Sequence, residues 1–277
     1  MARIQIGPES IYYTGHNLSC SRGKTATAIV FIHGSGGSHK SWPVRLRSNI
    51  KEADRSRSVY LLDLPGHGRS TGRGRRSIKA YADFIDDFVT TLSLPHVILA
   101  GHSLGGAIAL QSALRQPPWL AGLILAGTGA RLRVHPDILN GVRRDYADTV
   151  DLICQWAFGP DASMALIDGS RKALLETDPD VTWGDFSACN AFDVVSRVGE
   201  INCPALIVSG ADDHLTPPRY GALLNEKIKN SQYRLIQRAG HMMAIEKPEA
   251  FMAGIKIFLS ELSRSIEKDA GKKRHPM

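Results

Sequence analysis

Apolar residues along this chain fall into short continuous runs, separated by segments in which apolar residues recur at helical spacing. Runs of strand length cover residues 27–32, 58–62, 96–100, 120–126, 205–209 and 233–236. Unbroken apolar runs are typical of parallel strands that are buried on both faces. Their alternation with helical segments predicts an α/β fold, in which helices cover both faces of a parallel sheet. Residues 3–6 and 10–14 predict an opening hairpin around Gly7-Pro8-Glu9.

Helical periodicity is clearest over residues 78–92. The apolar residues that share one face there are Ile78, Tyr81, Ala82, Ile85, Phe88, Val89 and Leu92. Ser77 is placed to accept hydrogen bonds from the first turn as the N-cap. Further helices are predicted over residues 104–115, 218–229 and 248–266, and the last two open with a proline, which is favoured in a first turn.

The alternation stops between residues 126 and 205, where no strand-like run occurs. Helical fragments are predicted there over residues 139–146, 150–158, 164–176 and 183–192. A structureless loop of this length is unusual in a compact domain, so the segment predicts a helical insertion over one edge of the sheet. We therefore expect a core of residues 1–130 and 195–277 and a helical cap of residues 131–194, which supplies the walls of a substrate pocket.

Composition places the chain among globular proteins. Of its 277 residues, 43% are hydrophobic and 22% are charged, which excludes a disordered chain. No apolar run reaches the roughly 18 residues needed to span a bilayer, and the amino terminus lacks the pattern of a signal peptide. The four cysteines are widely spaced without a CxxC pair, which is typical of free thiols in a reduced cytoplasm. We expect a cytoplasmic monomer or homodimer without a metal ion or other cofactor.

The formal net charge of +7 raises the question of an acidic partner. Part of the excess lies in the carboxyl-terminal tail, and a second cluster, Arg73, Arg75 and Arg76, lies in a Gly-rich stretch. Neither cluster is interleaved with aromatic residues or carries a nucleic-acid-binding motif. Solvated charge is therefore the favoured interpretation, and no nucleic-acid partner is expected.

The strongest chemical signal is Gly101-His102-Ser103-Leu104-Gly105, a G-x-S-x-G pattern that follows an apolar strand and opens a helix. That context is typical of a nucleophile elbow, which exposes a serine hydroxyl on a sharp strand-to-helix turn. The turn lies at the carboxyl end of the sheet, where α/β folds bind ligands, and the helix amino terminus favours developing negative charge. The pattern therefore predicts Ser103 as a nucleophile.

A serine nucleophile needs a base, and the base needs an orienting acid, in the chain order Ser, Asp or Glu, His. His241 follows the last strand and is the favoured base, with His214 as the alternative. Asp212 and Asp213 both follow the strand at 205–209, and either could orient the base. Asp213 is the favoured acid, although a shift of one residue reverses the direction of a side chain in an extended segment.

The same chemistry needs backbone donors for an oxyanion. One is the N–H of Leu104, directly after the nucleophile, and the second should come from the loop after the strand at 27–32. The N–H of Ser35 is the expected second donor, with Gly36 as the alternative. Aromatic residues that are candidates for lining an acyl pocket are Trp42, Trp156, Trp183 and Phe186, for which core packing is an equally good interpretation.

Five motifs in order resemble those of the α/β-hydrolase superfamily, in its capped esterase, lipase and thioesterase branch. They are HGSGG at 33–37, DLPGHGRS at 63–70, GHSLGG at 101–106, GADD at 210–213 and AGHMMAIEKPEAF at 239–251. The resemblance implies a mostly parallel eight-stranded sheet with flanking helices and an inserted helical cap. It also implies Asp213 as the acid, three residues after the glycine of GADD, and His241 as the base.

The motifs separate this chain from several relatives within the superfamily. Haloalkane dehalogenases and epoxide hydrolases resemble this layout but carry aspartate where this chain has Ser103. Prolyl aminopeptidases usually show GGSWG at the elbow, and carbon–carbon bond hydrolases usually have asparagine where this chain has His102. The last class is disfavoured but stays open.

The leading hypothesis is hydrolysis of small-molecule carboxylic esters with small to medium acyl chains, through an acyl-enzyme on Ser103. A thioesterase or acyltransferase would use the same intermediate, and an acidic acyl carrier could dock on the basic residues Arg131, Arg133, Arg143 and Arg144. A carbon–carbon bond hydrolase is a further alternative. From another class, a ligand-binding module could keep these residues and turn over slowly.

Overall fold

The computed structural model describes residues 2–18, 27–43, 45–53 and 57–272. An eight-stranded sheet forms its centre, in the order β1-β2-β4-β3-β5-β6-β7-β8. The strands are β1 (Ala2–Ile6), β2 (Glu9–His16), β3 (Thr27–Ile32), β4 (Ser58–Leu62), β5 (His96–His102), β6 (Leu120–Ala126), β7 (Ala205–Gly210) and β8 (Ser231–Ile236). The strands β1 and β2 form the predicted hairpin, and β2 also pairs antiparallel with β4. All other pairings are parallel, so the predicted fold is confirmed.

Both faces of the sheet are buried under helices. Because successive residues of a strand point to opposite sides, the strands β3 to β7 each contribute to both apolar clusters. In β3, Val30 and Ile32 belong to one apolar cluster, whereas Ile29 and Phe31 belong to the other. The first cluster is completed by α2 (Ile78–Thr91), α3 (Leu104–Ala113) and α8 (Pro218–Lys227). The second is completed by α1 (Leu46–Ala53), α9 (Met243–Glu246) and α10 (Pro248–Lys272). This two-sided burial explains the continuous apolar runs in the sequence.

Local signals set several helix ends. The side chain of Ser77 accepts from the N–H of Ala80 and begins α2 at the predicted residue. The helices α3 and α8 are two residues shorter at their carboxyl ends than predicted, whereas α10 extends beyond the predicted end at residue 266. Two short helices, α1 and α9, were not predicted, because each spans too few residues to show a clear periodicity.

Four helices lie between β6 and β7, and we call them the inserted helices. They are α4 (Pro136–Arg144), α5 (Tyr146–Ala157), α6 (Met164–Leu175) and α7 (Pro179–Ala191). Three begin three or four residues before the predicted fragments, because polar caps decide their starts. Asp145 accepts from the N–H of Asp148 at the start of α5, and Asp178 precedes a proline at the start of α7. The predicted cap boundaries at 131 and 194 bracket all four helices and stay a prediction.

The basic cluster after β4 is not uniformly solvated. The Arg75 guanidinium donates to both carboxylate oxygens of Glu9, at 2.9 and 2.7 Å, and the Arg76 guanidinium lies 5.4 Å from the ring centre of Trp183.

The tail from residue 273 onward and Cys20 lie outside the described residues. Within the described ranges, no group of His, Cys, Asp and Glu is placed to hold a metal ion. Nor does any helix there have the length and apolar character to cross a membrane.

Candidate active site

Ser103 lies on the sharp turn between β5 and α3. Its backbone angles are φ 53° and ψ −114°, a conformation that costs a residue with a side chain roughly 1–3 kcal/mol. The N–H of Ser103 donates to the carbonyl oxygen of Ala126 at the end of β6, at 2.9 Å. The neighbouring strand therefore holds the strained turn, and the serine stands at the carboxyl edge of the sheet.

Two glycines make this turn possible, because β5 and α3 meet the surrounding backbone without room for side chains. A Cβ on Gly101 would lie 2.1 Å from the carbonyl oxygen of Gly105. A Cβ on Gly105 would lie 2.2 Å from the carbonyl oxygen of Ile32. Packing therefore requires glycine at the two outer positions of the G-x-S-x-G pattern.

His241 follows β8 and Asp213 follows β7, and their side chains meet in a buried hydrogen bond. His241 Nδ1 lies 2.9 Å from Asp213 Oδ2. Because an ionised carboxylate only accepts, Nδ1 carries the proton and Nε2 of the neutral imidazole can accept one. The structure thus brings Asp213 to His241, whereas Asp212 is tied through its backbone N–H to the carbonyl of Ala239. His214 is an exposed residue that borders the cavity described below.

The Asp213 carboxylate is ionised despite its burial. Burial raises the pKa of Asp213, but the electrostatic interaction with the adjacent His241 ring and hydrogen bonds from His241 and Thr216 outweigh it and hold that pKa below its usual value. Two backbone N–H groups, of Leu215 and Thr216, donate to Oδ1 at 2.9 and 2.8 Å. A charged, fully hydrogen-bonded aspartate can orient an imidazole and stabilise its protonated form.

Thr216 contributes to this pair and was missed in the sequence. Its hydroxyl donates to Asp213 Oδ2 at 2.7 Å, and its oxygen lies 3.1 Å from His241 Nδ1. Thr216 is buried. The available signal was its position three residues after Asp213, because aspartates commonly accept from the residues that follow them in a turn.

The loop after β3 passes beside the elbow. The position of a Cβ on Gly34 lies 3.3 Å from the Cβ of Ser103. Within the part of the chain that the structure describes, the backbone N–H groups of Ser35 and Leu104 donate to no protein acceptor. Amides that lie beside a nucleophile and have no internal acceptor meet one requirement of an oxyanion hole.

Two buried histidines flank the site and are neutral. Burial, reinforced by the neighbouring His241, lowers the pKa of His102 to about 3. Burial, reinforced by His67, lowers the pKa of His33 to about 4. His102 Nε2 donates to the carbonyl of His241 at 2.9 Å, and His33 Nε2 accepts the N–H of Leu64 at 3.1 Å. Both rings therefore hold loops together.

A cavity of about 870 Å³ opens beside Ser103 and His241. Its volume lies within the roughly 300–1,000 Å³ that is usual for small-molecule sites. Each of the inserted helices contributes an apolar side chain to its wall, and these are Ile138, Trp156, Leu166 and Phe186. Part of the cavity wall is therefore built from the segment without strands.

The four predicted aromatic residues divide into two groups. Trp42, Trp156 and Phe186 line the cavity, although Trp42 is also packed against the core, with its ring centre 5.0 Å from that of Phe31. Trp183 is not part of the lining. Its ring lies beneath the guanidinium of Arg143, at 3.4 Å from the ring centre, and packs against the apolar cluster of Ile138, Val142 and Ile153.

Charge at the cavity is one-sided. Lys40, Arg133 and Arg219 border it, whereas no Asp or Glu among the described residues does. Lys40 Nζ pairs with Glu176 at 3.3 Å, and Arg133 donates to the carbonyl of Asn190 at 2.6 Å. An anionic part of a ligand would therefore meet positive charge and no carboxylate of the wall.

A buried carboxylate behind the site, Asp185 on α7, was not singled out in the sequence. It accepts the N–H of Gly36 at 2.9 Å, the hydroxyl of Tyr81 at 2.6 Å and Nε2 of His67 at 2.8 Å. Interaction with Asp185 overcomes burial and raises the pKa of His67. An aspartate on a helix inside the insertion gives no sequence signal for such a network, because its partners are distant in the chain.

A mostly parallel sheet that carries a serine elbow and a histidine–aspartate pair at its carboxyl edge defines the architecture of α/β hydrolases. The family described as alpha/beta hydrolase fold matches residues 27–248 of this chain. That span includes every strand from β3 onward. The chain belongs to the α/β-hydrolase fold family.

Relatives match over most of the chain. Pimeloyl-(acyl-carrier protein) methyl ester esterase of Serratia marcescens is 27% identical over 249 residues, which cover 84% of this chain and 93% of that protein. The 2-hydroxy-6-oxononadienedioate/2-hydroxy-6-oxononatrienedioate hydrolase of Cupriavidus pinatubonensis is 29% identical over 256 residues, covering 86% and 88%. The solved structure of a thermophilic esterase, 29% identical, aligns with a TM-score of 0.79 over 94% of this chain and 97% of that one.

Proposed function

We propose that this protein hydrolyses carboxylic esters with small to medium acyl chains, through an acyl-enzyme on Ser103. The observation that carries the proposal is the buried hydrogen bond between His241 and Asp213, at 2.9 Å, beside the cavity that the strained Ser103 also lines. The similarity to proteins named as esterases supports it.

In the first half of the reaction, His241 Nε2 accepts the hydroxyl proton of Ser103 as Oγ attacks the carbonyl carbon of the ester. The carbonyl oxygen becomes an oxyanion, which accepts hydrogen bonds from the backbone N–H groups of Ser35 and Leu104. The protonated His241 then gives its proton to the alkoxy oxygen. The carbon–oxygen bond breaks, the alcohol leaves and the acyl group stays on Ser103.

In the second half, His241 takes a proton from water while the water oxygen attacks the acyl carbon. A second oxyanion forms in the same place and collapses. The bond to Ser103 Oγ breaks, and His241 returns the proton to that oxygen. The products are a carboxylic acid and the original enzyme.

We further propose that residues 131–194 act as a cap that selects the acyl chain. The cap side chains in the cavity wall are apolar, and Ile138, Trp156 and Phe186 are among them. Each methylene group buried against such a wall contributes about 0.8 kcal/mol, or roughly fourfold in affinity. We expect activity to rise with chain length until the cavity is filled.

The test is steady-state hydrolysis of nitrophenyl esters from acetate to laurate, with Ser103→Ala measured in parallel. We expect turnover that depends on Ser103 and has an optimum in chain length. Ser260→Ala is a matched control, because Ser260 is an exposed serine on α10 that does not line the cavity. It should keep wild-type turnover.

Covalent labelling with a fluorophosphonate separates the alternatives. Labelling of Ser103 without ester turnover would contradict ester hydrolysis and direct the search to thioesters and carbon–carbon bonds. Acylation by the ester with one equivalent of alcohol and no further turnover would instead indicate the slow ligand-binding module. Hydrolysis by Ser103→Ala at the wild-type rate would exclude the acyl-enzyme.

A second candidate is hydrolysis of an acyl group carried by an acidic acyl carrier. The specific observation is the cavity border, which includes Lys40, Arg133 and Arg219 but no described carboxylate. The Serratia relative is named for a carrier-linked ester. Of the basic residues proposed from the sequence, Arg131 and Arg133 both lie near Asp193, at 2.6 and 3.7 Å. Arg219, which was not singled out in the sequence, borders the cavity and is therefore the residue to test.

Salt dependence tests this candidate. Activity on a carrier-linked acyl group should fall as ionic strength rises, whereas activity on a nitrophenyl ester should not, because salt screens exposed charges. Arg219→Glu should weaken only the carrier-linked reaction. The exposed Lys229→Glu, away from the cavity, changes net charge equally and should leave both reactions unchanged. Equal salt responses for both substrates would exclude the carrier.

A further inference from the structure

The loop that carries Ser35 is held by the inserted helices at the next residue, Gly36. The N–H of Gly36 donates to Oδ2 of Asp185 on α7, at 2.9 Å. The carbonyl oxygen of Gly36 accepts the hydroxyl of Thr177, between α6 and α7, at 2.7 Å. Both peptide groups of Gly36 are thus bound by residues that lie 141 and 149 positions later in the chain.

Asp185 is itself held by two other buried side chains. Its carboxylate is fully buried and accepts from the Tyr81 hydroxyl at 2.6 Å and from His67 Nε2 at 2.8 Å. His67 Nδ1 lies 3.0 Å from the carbonyl oxygen of Pro65. A carbonyl and a carboxylate both only accept, so His67 donates from both nitrogens and is an imidazolium. The N–H of Gly36 therefore bonds to a charged group, and such bonds are short and strong.

Side chains of the insertion also pack closely against Gly36. Gly36 has φ +64°, and a Cβ there would lie 2.3 Å from Leu174 Cδ1 and 3.1 Å from Thr182 Oγ1. Leu174 belongs to α6 and Thr182 to α7. Contact and hydrogen bonding together fix the backbone direction immediately after Ser35.

We propose that Asp185 and Thr177 are positioning residues that aim the backbone N–H of Ser35 at the oxyanion. Neither side chain lines the cavity, so they act on the reaction through the loop and without touching the substrate. The inference rests on the proposed acyl-enzyme mechanism, in which Ser35 supplies an oxyanion donor. It adds that part of the oxyanion hole is held from the insertion, on the opposite side from the sheet.

An oxyanion contact is made in the transition state and hardly at all in the bound substrate. Loss of its positioning should therefore lower kcat and leave KM nearly unchanged. A misplacement of about 1 Å can cost on the order of 100-fold in rate. For Thr177→Val, which removes one tether and keeps the shape and charge, we expect kcat to fall about 10-fold. The kcat of Asp185→Ala should fall further. Asp185→Asn keeps an acceptor for the N–H of Gly36, so its kcat should lie between those of Asp185→Ala and the wild type.

The experiment measures kcat and KM on nitrophenyl butyrate for these variants, together with inhibition by a trifluoromethyl ketone. That inhibitor forms a tetrahedral adduct with an oxyanion on the nucleophile, so its inhibition constant should rise in step with the fall in kcat. Asp180→Asn is the matched control, because Asp180 is an exposed carboxylate on the same helix. It should match the wild type in all three quantities.

Wild-type kcat in both Thr177→Val and Asp185→Asn would overturn the inference. So would a rise in KM at unchanged kcat, which indicates substrate contact. If the Asp185 variants do not fold, as urea unfolding would show, Thr177→Val decides by the same criteria. Failure of the proposed function has a different signature, absence of Ser103-dependent turnover in the wild type, and it removes the inference as well.

Discussion

The hydroxyl of Thr216 donates to Oδ2 of Asp213, the same oxygen that accepts the proton of His241. With two backbone N–H groups on Oδ1, the carboxylate accepts four hydrogen bonds. An aspartate held in this way cannot rotate to follow a misaligned imidazole. The direction of His241 is therefore set by the turn after β7 as much as by its own loop.

Replacement of Asp213 should reduce turnover far more than replacement of its neighbour. Asp213→Asn removes the negative charge and turns the imidazole to the wrong tautomer, so we expect kcat on nitrophenyl butyrate to fall about 10³- to 10⁴-fold. Asp212→Asn is the matched control and should stay within about twofold, because the hydrogen-bond partner of His241 Nδ1 is Asp213 and not Asp212. Equal losses of kcat in the two variants would show that Asp213 is wrongly assigned as the acid.

At the elbow, glycine should be more stabilising than alanine, which is the reverse of their usual order in a helix. Ser103→Gly relieves the φ 53° conformation, and Ser103→Ala does not, so the glycine variant should be more stable by about 1 kcal/mol. At Ser112, in the regular part of α3, the alanine variant should be the more stable by about the same amount. Urea unfolding of all four proteins measures both differences. Greater stability of Ser103→Ala would mean that the turn is not strained.

Acidification should destabilise the protein partly through His102. Its pKa is lowered to about 3 in the folded protein, against 6.5 for an ordinary histidine. Between these values the unfolded chain binds a proton that the folded protein does not. This contribution is therefore complete above pH 6.5, and about 1.4 kcal/mol is lost per pH unit as the pH falls through that window.

Urea unfolding at pH 6.5, 5.5 and 4.5 tests the titration of His102. The dependence of the free energy of unfolding on pH should be shallower in His102→Gln by about one proton. Gln keeps a donor for the carbonyl of His241. The control His96→Gln removes an exposed histidine and should leave the slope unchanged. A wild-type slope in His102→Gln would show that this ring titrates normally.

Chain-length preference should respond to Phe186 and not to Trp183. Phe186 lines the cavity, and Trp183, three residues earlier on α7, does not. Phe186→Ala should move the optimum toward longer acyl chains, with kcat/KM changing about fourfold per methylene that gains or loses contact. Trp183→Ala should keep the wild-type profile, although it removes an aromatic ring of larger size. The ester series from acetate to laurate measures both.

The strand pattern and the elbow could be predicted because both are local. Each buried strand is one apolar run, and Gly101 and Gly105 flank Ser103 within five positions. The insertion was predicted as helical, but the starts of α4, α5 and α7 were placed too late. Polar caps such as Asp145 and Asp178 decided those starts, and apolar periodicity does not register them.

The supporting residues of the site could not be predicted in the same way. Asp185 becomes important through Gly36, which is 149 positions away, and only the packing of the insertion reveals that proximity. Trp183 and Phe186 look equivalent in sequence, since both are aromatic residues of one helix. Their different surroundings follow from the rotation of α7, which the weakly amphipathic sequence of that helix does not specify.

The bonds from Asp185 and Thr177 to Gly36 bear on any attempt to graft a new specificity onto this scaffold. A chimera that replaced residues 131–194 with the corresponding segment of another family member would exchange the pocket wall and remove both bonds together. Donor segments that lack a carboxylate and a hydroxyl at these two positions should give chimeras that bind their new substrates and turn them over slowly. Recombination breakpoints in this chain should therefore be chosen so that the two hydrogen bonds to Gly36 are kept, as well as for the fit of the pocket to the new substrate.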